Sequence, residues 1–374
     1  MAHADADAIH QLGIDWRAIQ ATATTRVLVQ RVHSTSRSWK LWLEFCADLR
    51  VDLNVLPDDP IPLLQVFAQR LRSGTIAAGR RPLRTRTVED TVRSVGQTYA
   101  SVGSPDPRMN VRGALDFRLT SLYQAWAKVD DPPSRVKPLP LTLLTHVVNL
   151  AGRDQRPFAS VVSECLVFGF YFLLRPGEYL GIPNNELDTL FRLKDLQFWI
   201  GARALDTFTC PISDLQAATF ATVTFTRQKN GVRNETIGHG RSGHAQLCPV
   251  LALVARAIAL RQAAAPPNTP LNAYHTADNT FRFVLPADVT RYLRAALALY
   301  PDPSYPASAI SARSTRAGGA MALLCAGIDS DRIGLIGRWR SDKLYRYLHV
   351  QAQPVMTGIS AAMLRGGSFR LAPG

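Results

Sequence analysis

Cysteine is scarce in this chain and never paired. Five are scattered over 374 residues (Cys46, Cys165, Cys210, Cys248 and Cys325), an odd number without one Cys-x-x-Cys. That excludes a disulfide scaffold and argues against a zinc site, so the thiols are expected to be reduced and mostly buried. No apolar run reaches the roughly 18 residues that a membrane helix needs, and the opening MAHADADAIH has no basic-then-apolar leader. An intracellular protein is expected, nuclear if the host is eukaryotic and otherwise cytoplasmic. Acidic residues are also few, 29 against 43 Lys and Arg, which leaves a net charge of +14. A chain this basic is expected to meet nucleic acid or an acidic membrane face, with a solubility charge that has no partner as the alternative. Residues 1–133 carry 17 basic and 14 acidic residues, and 134–374 carry 26 and 15, so the excess lies in the second part. Most of the basic side chains are arginine, whose planar fork suits fixed phosphate contacts.

What is present is enough for two or three cores, since 47% of the residues are apolar. Residues 1–24 read as a lead-in with a short helical piece near Ile14–Ala23. Ser34-Thr-Ser-Arg ahead of Trp39, Trp42 and Phe45 predicts a helix capped near Ser34 or Ser36. Pro57–Pro62 interrupts, another helix begins at Leu63, and Thr87-Val-Glu-Asp opens a third. Arg80, Arg81, Arg84 and Arg86 precede or enter that third helix, where they could track phosphates or simply lie in a solvated loop. With a last helix over Ala114–Trp126, residues 25–130 form a helical bundle without strands. Residues 131–140, rich in proline, read as a linker.

Beyond the linker, Leu141–Gly152 and Ser160–Leu174 read as helices. Alternating runs in LQFWIGA, ATFATVTFT and NETIGHG predict strands, with Lys229-Asn-Gly at a tight turn. A helix starts at Cys248, a looser connection follows from Pro266, and another helix spans Ala287–Leu299. His239 and His244 are too loosely placed for a metal.

Two stretches carry chemistry. The first, FYFLLRPGEYLGI, places Arg175 at a helix boundary and Glu178 three residues on. The second, Ser311–His349, runs through Arg313, Arg316-Ala-Gly-Gly-Ala, Gly-Ile-Asp, Gly337-Arg338-Trp339 and Tyr345-Arg346-Tyr347. Guanidinium forks match the non-bridging oxygens of a phosphate, and a tyrosine needs such neighbours before it becomes a useful nucleophile. Read alone, the first stretch fits an ion pair capping a core helix, and the second fits two amphipathic helices with half-buried tyrosines.

In their order the two stretches resemble the boxes of the tyrosine recombinases, the phage-integrase family, over about residues 25–350. The wording is nearest to mobile-element recombinases of the Crypton or DIRS kind. The resemblance implies a mainly α chain with a small antiparallel β-sheet: a helical core-binding domain over 25–130, an α+β catalytic domain over 141–350 and a tail over 351–374 that packs in trans or caps its own domain. It implies a site-specific DNA recombinase that cuts and rejoins double-stranded DNA through a 3′-phosphotyrosyl link, without cofactor or metal, as a tetramer on paired sites. Arg175 and Arg316 would hold the phosphate, Glu178 would orient Arg175, Lys229 would protonate the leaving oxygen, and Tyr347, favoured over Tyr345 by spacing, would attack. The chain departs from the pattern twice. Arg313 stands where histidine is usual and cannot shuttle a proton, and Arg338 precedes Trp339, so either could complete the pocket. A silent DNA-binding descendant, a monomeric type IB topoisomerase-like enzyme and a helical scaffold for acidic proteins are the alternatives.

Overall fold

The computed structural model describes residues 29–52, 56–76, 81–131, 136–154, 156–183, 189–226, 233–302, 305–339, 344–345 and 348, with Ile14 alone before them. Most of the lead-in, Arg80, Lys229 with its turn, Tyr347 and the tail lie outside the described residues. The chain divides into two compact units, Met1–Pro133 and Ser134–Gly374.

The first unit contains α1 (Val29–Leu49), α2 (Ile61–Ser73), α3 (Thr85–Ser101) and α4 (Phe117–Val129). Its core joins Trp42 and Phe45 of α1 to Phe67 of α2, Val88, Val92 and Val95 of α3, and Leu119 of α4. The Trp42 and Phe67 rings meet edge to face at 5.0 Å, and Trp42 Nε1 donates to the Tyr99 hydroxyl at 3.1 Å. Helix α1 starts before the expected cap and runs through Ser34 and Ser36. Neither glycine nor proline lies between Val29 and Leu49, and an interior serine costs a helix only a few tenths of a kcal/mol. The bundle is tied at its exit by Asp130, which accepts the Thr85 amide at 2.9 Å and pairs with Arg72.

The second unit begins with α5 (Leu141–Arg153) and α6 (Pro157–Tyr171). Nine residues of α6 are buried, from Ala159 to Phe170; a helix apolar all round belongs at the centre of a core. The short α7 (Pro176–Tyr179) follows, then β1 (Leu196–Ile200), β2 (Arg203–Leu205), α8 (Ile212–Ala217), β3 (Phe220–Phe225) and β4 (Glu235–Gly240). These strands form an antiparallel sheet in the order β2-β1-β3-β4. Three of them fall on the alternating runs. The register pairs Phe225 with Glu235 and Ala221 with His239, so buried Ala221, Val223 and Phe225 turn one face of β3 to the core.

Next come α9 (Pro249–Gln262), β5 (Ala273–His275), β6 (Phe281–Phe283), α10 (Pro286–Leu299), α11 (Ser314–Cys325) and α12 (Ser330–Gly337). The β5–β6 hairpin occupies what reads in sequence as a loose connection. Part of the expected linker also belongs to this unit. The Lys137 amide donates to the Ala309 carbonyl and the Leu139 amide to that of Ser314, both at 2.9 Å, and Leu139 is buried.

Candidate active site

The local sequence explains how α11 reaches the centre of its unit. A Cβ on Gly318 would stand 2.3 Å from the Leu139 carbonyl oxygen, and one on Gly319 would stand 2.1 Å from that of Phe170. The Ala-Gly-Gly-Ala run therefore lets α11 press between the 137–140 strap and the end of α6. Arg316, on the first turn of α11, is thereby buried beside the chain leaving α6. Its Nη1 donates to the Leu173 carbonyl at 2.7 Å, and its Nη2 donates to the Gly337 carbonyl at the end of α12. The Trp339 ring covers its guanidinium at 4.1 Å. Gly337 is required for that cover, because a Cβ there would lie 1.8 Å from a Trp339 ring carbon.

Arg175 stands at the N-cap of α7 in extended backbone. Proline at the first helical position and glutamate at the third shape this turn. The Arg175 amide donates to Glu178 Oε2 at 2.7 Å, and its Nη1 donates to Glu178 Oε1 at 2.8 Å. Its side chain is 34% exposed while that of Glu178 is buried. A second guanidinium reaches the same carboxylate: Arg338 Nη2 donates to Glu178 Oε2 at 2.9 Å. Arg338 caps α12 in the left-handed region (φ 58°, ψ 37°), and its side chain is 1% exposed. It lies over the Phe225 ring at 3.7 Å, with the Phe172 carbonyl within 3.4 Å of Nη1. Burial, opposed by Glu178 and reinforced by neighbouring Arg175, lowers Arg338 to about 10.

Segments 172–178 and 337–339 and the first turn of α11, far apart in sequence, thus bring Arg175, Glu178, Arg316, Arg338 and Trp339 together. Arg313 sits exposed at the N-cap of α11. Leu344 and Leu348, on either side of Tyr347 in sequence, pack on a cluster with Leu173, Ala320 and Ile333, while Tyr345 is 58% exposed. Away from this site, Arg81 and Arg84 are exposed before α3, and Arg86 is paired along the helix with Glu89 at 3.5 Å and Asp90 at 3.4 Å. Sequence reasoning did not single out Phe225, Leu139 or the carbonyls of Leu173 and Gly337. For Phe225 the inward phase of β3 was the available signal; a carbonyl acceptor leaves none.

The site concentrates positive charge around one carboxylate. Arg175 presents a partly exposed guanidinium, while Arg316 and Arg338 are buried. Such an arrangement can receive an anion with a fork of donors at a fixed angle. Among the described residues no group of His, Cys, Asp and Glu is placed to hold a metal.

No family model and no curated protein matches the sequence. Among solved structures, the Tn1549 transposon integrase in complex with circular intermediate DNA superposes with a TM-score of 0.52 at 14% identity, over 93% of this chain and 97% of that one. The same integrase (Y379F) in complex with transposon right end DNA gives 0.50 at 13% identity, over 94% and 98%. A lambda integrase dimer bound to a core site gives 0.48 at 10% identity, over 90% and 95%. The Tn1549 superpositions, together with the helical architecture and its small antiparallel sheet, identify the fold of this chain as that of the tyrosine recombinases and integrases.

Proposed function

We propose that this protein breaks and rejoins double-stranded DNA as a site-specific recombinase of mobile-element type. The observation that carries the reading is that Arg175 and Arg338, remote in sequence, share the Glu178 carboxylate, while Arg316 lies beside them on the Leu173 and Gly337 carbonyls under the Trp339 ring. A structural ion pair needs one arginine; a phosphate site needs several, held at fixed angles. The DNA in the Tn1549 integrase complexes supports a duplex as the partner here, and so does the excess of basic residues in 134–374.

In this reading the Tyr347 hydroxyl attacks the scissile phosphorus. The bond to the 5′-oxygen breaks, and Lys229 gives that oxygen its proton. A 3′-phosphotyrosyl link and a free 5′-hydroxyl result, and the reverse step reseals the strand without an external energy source. Arg175 and Arg313 neutralise the non-bridging oxygens from the exposed side, with Arg316 and Trp339 behind them. Because arginine holds its proton at neutral pH, the tyrosine proton leaves to water and not to residue 313. Strand exchange needs four copies on two duplexes inside the cell.

A second reading is favoured by one observation: two donors of Arg316 are spent on backbone carbonyls. On that reading the protein binds DNA but never cuts it. Both are tested by incubating the protein with a supercoiled plasmid library carrying random inserts, quenching with detergent and collecting protein-linked DNA. Adduct from the wild type and from Tyr345→Phe, with none from Tyr347→Phe, supports the recombinase. Retention of plasmid without adduct selects the silent binder.

A further inference from the structure

We infer that Arg338 is a positioning residue, which acts through Glu178 to fix the guanidinium of Arg175 and does not itself touch DNA. The inference deepens the reading above and rests on it for what Arg175 does, but its geometry stands independently.

The carboxylate of Glu178 is divided between two arginines with unequal access to solvent. Oε1 takes Nη1 of Arg175, while Oε2 takes the Arg175 amide and Nη2 of Arg338. The Arg338 side chain is 1% exposed and that of Arg175 is 34% exposed. Only Arg175 can meet a phosphate from solvent. Without Arg338 the carboxylate would be held by Arg175 alone, through its amide and Nη1, and its terminal torsion is broad for glutamate. With Oε2 also held from behind, rotation about that torsion breaks a charge-assisted bond, so Oε1 stays aimed at Arg175.

Three features show that the position is built for a long cationic side chain. Residue 338 occupies the left-handed backbone that follows a helix, where glycine is the usual choice. Its guanidinium lies over the Phe225 ring and donates from its edge to the Glu178 carboxylate. The Phe172 carbonyl, three residues before Arg175, borders the same guanidinium. A residue that merely ended α12 would share the left-handed backbone but would need neither the ring nor the carboxylate and carbonyl. The charge is also maintained where the enzyme would work, since burial lowers Arg338 only to about 10. Trp339 is left to cover Arg316, so the two residues after Gly337 divide the work: Arg338 steadies Arg175 and Trp339 covers Arg316.

The test uses the full chain, labelled with nitrogen-15 arginine, and follows the Arg175 side-chain N–H resonances, assigned by their loss in Arg175→Lys. The wild type should show distinct Nη signals, the signature of a guanidinium whose rotation is held. Arg338→Met, and Arg338→Gln as a second variant should the first not fold, should merge them, as Glu178→Gln should. Arg338→Lys keeps a donor for Oε2 and should retain at least part of the splitting. Unchanged Arg175 signals in both neutral variants would overturn the inference. In the plasmid assay Arg338→Met should slow adduct formation about 10- to 100-fold while changing duplex affinity less than twofold. In a Glu178→Gln background it should add almost nothing, because the residue acts through that carboxylate. A matching loss of duplex affinity would mean that Arg338 meets the phosphate, against the inference. If the wild type forms no adduct, the recombinase reading fails, and the resonances still decide whether Arg338 holds Arg175.

Discussion

Gly318→Ala tests whether α11 is seated by the strap that leads into the second unit. The added Cβ would lie 2.3 Å from the Leu139 carbonyl oxygen and 2.9 Å from the Leu139 amide nitrogen and Cβ. Ordinary contact needs more than 3.4 Å, and the obstacles are backbone atoms, so the strap must move by about an ångström. Moving it loosens the Leu139–Ser314 hydrogen bond of 2.9 Å, a loss of about 1 kcal/mol. It also uncovers much of the Leu139 side chain, which is 1% exposed, costing about 2 kcal/mol. Alanine returns about 1 kcal/mol of helix propensity. The balance is a loss of about 2 kcal/mol, read as a roughly 30-fold fall in protection of the Leu139 amide against hydrogen exchange. The denaturation midpoint of the second unit should fall with it. A variant as stable as the parent, or about 1 kcal/mol more stable, would refute the seating of α11 by this strap.

Further outcomes follow from the same contacts. Glu178→Gln leaves Arg338 charged and buried without its counter-ion, so the second unit should lose about 3–5 kcal/mol in denaturant unfolding, far more than a helix-capping change would cost. His239 lies in an aromatic nest, 4.6 Å from the Phe172 ring and 6.2 Å from the Tyr171 ring, and burial holds its pKa below the usual 6.5 although the Tyr171 backbone pulls the other way. The unfolded chain therefore binds that proton more readily. Stability should be full above pH 6.5 and fall below it, and melting temperatures of His239→Phe should lose that acid limb. In the first unit, Arg84→Ala should reduce the salt dependence of duplex binding by about one unit of slope. Arg86→Ala should change it less, because Arg86 already pairs with Glu89 and Asp90.

These tests fall where the sequence is informative to different depths. The longer helices are legible from their apolar patterns and flanking breakers, and β1, β3 and β4 from alternating and β-branched runs, whereas α7 and α8, of four and six residues, are too short to show a period. β2, β5 and β6, of three residues each, are too short to show a period. Ser34 and Ser36 look like caps because serine favours helix ends, yet no helix breaker separates them from Val29, so α1 continues through them. Leu139 is hidden among prolines that suggest a linker, although an apolar residue between two prolines was a sign of burial. In the site, Arg175 and Glu178 are spaced as an i,i+3 pair and form one. The bond from Arg338 to Glu178 spans 160 residues, and no local pattern predicts it. The use of Arg316 on carbonyl acceptors is equally silent, since any residue can supply a carbonyl.

The most direct test of the account is to identify the residue and the DNA end in any covalent adduct. Detergent-quenched plasmid reactions would be digested with nuclease and protease and the nucleotide-bearing peptide sequenced by mass spectrometry, with the free DNA ends labelled by kinase. The account predicts a nucleotide on Tyr347 joined through a 3′-phosphate, a 5′-hydroxyl that accepts label directly, and no adduct from Arg175→Ala. A nucleotide on Tyr345, a 5′-linked adduct, or adduct formation undiminished by Arg175→Ala would contradict it.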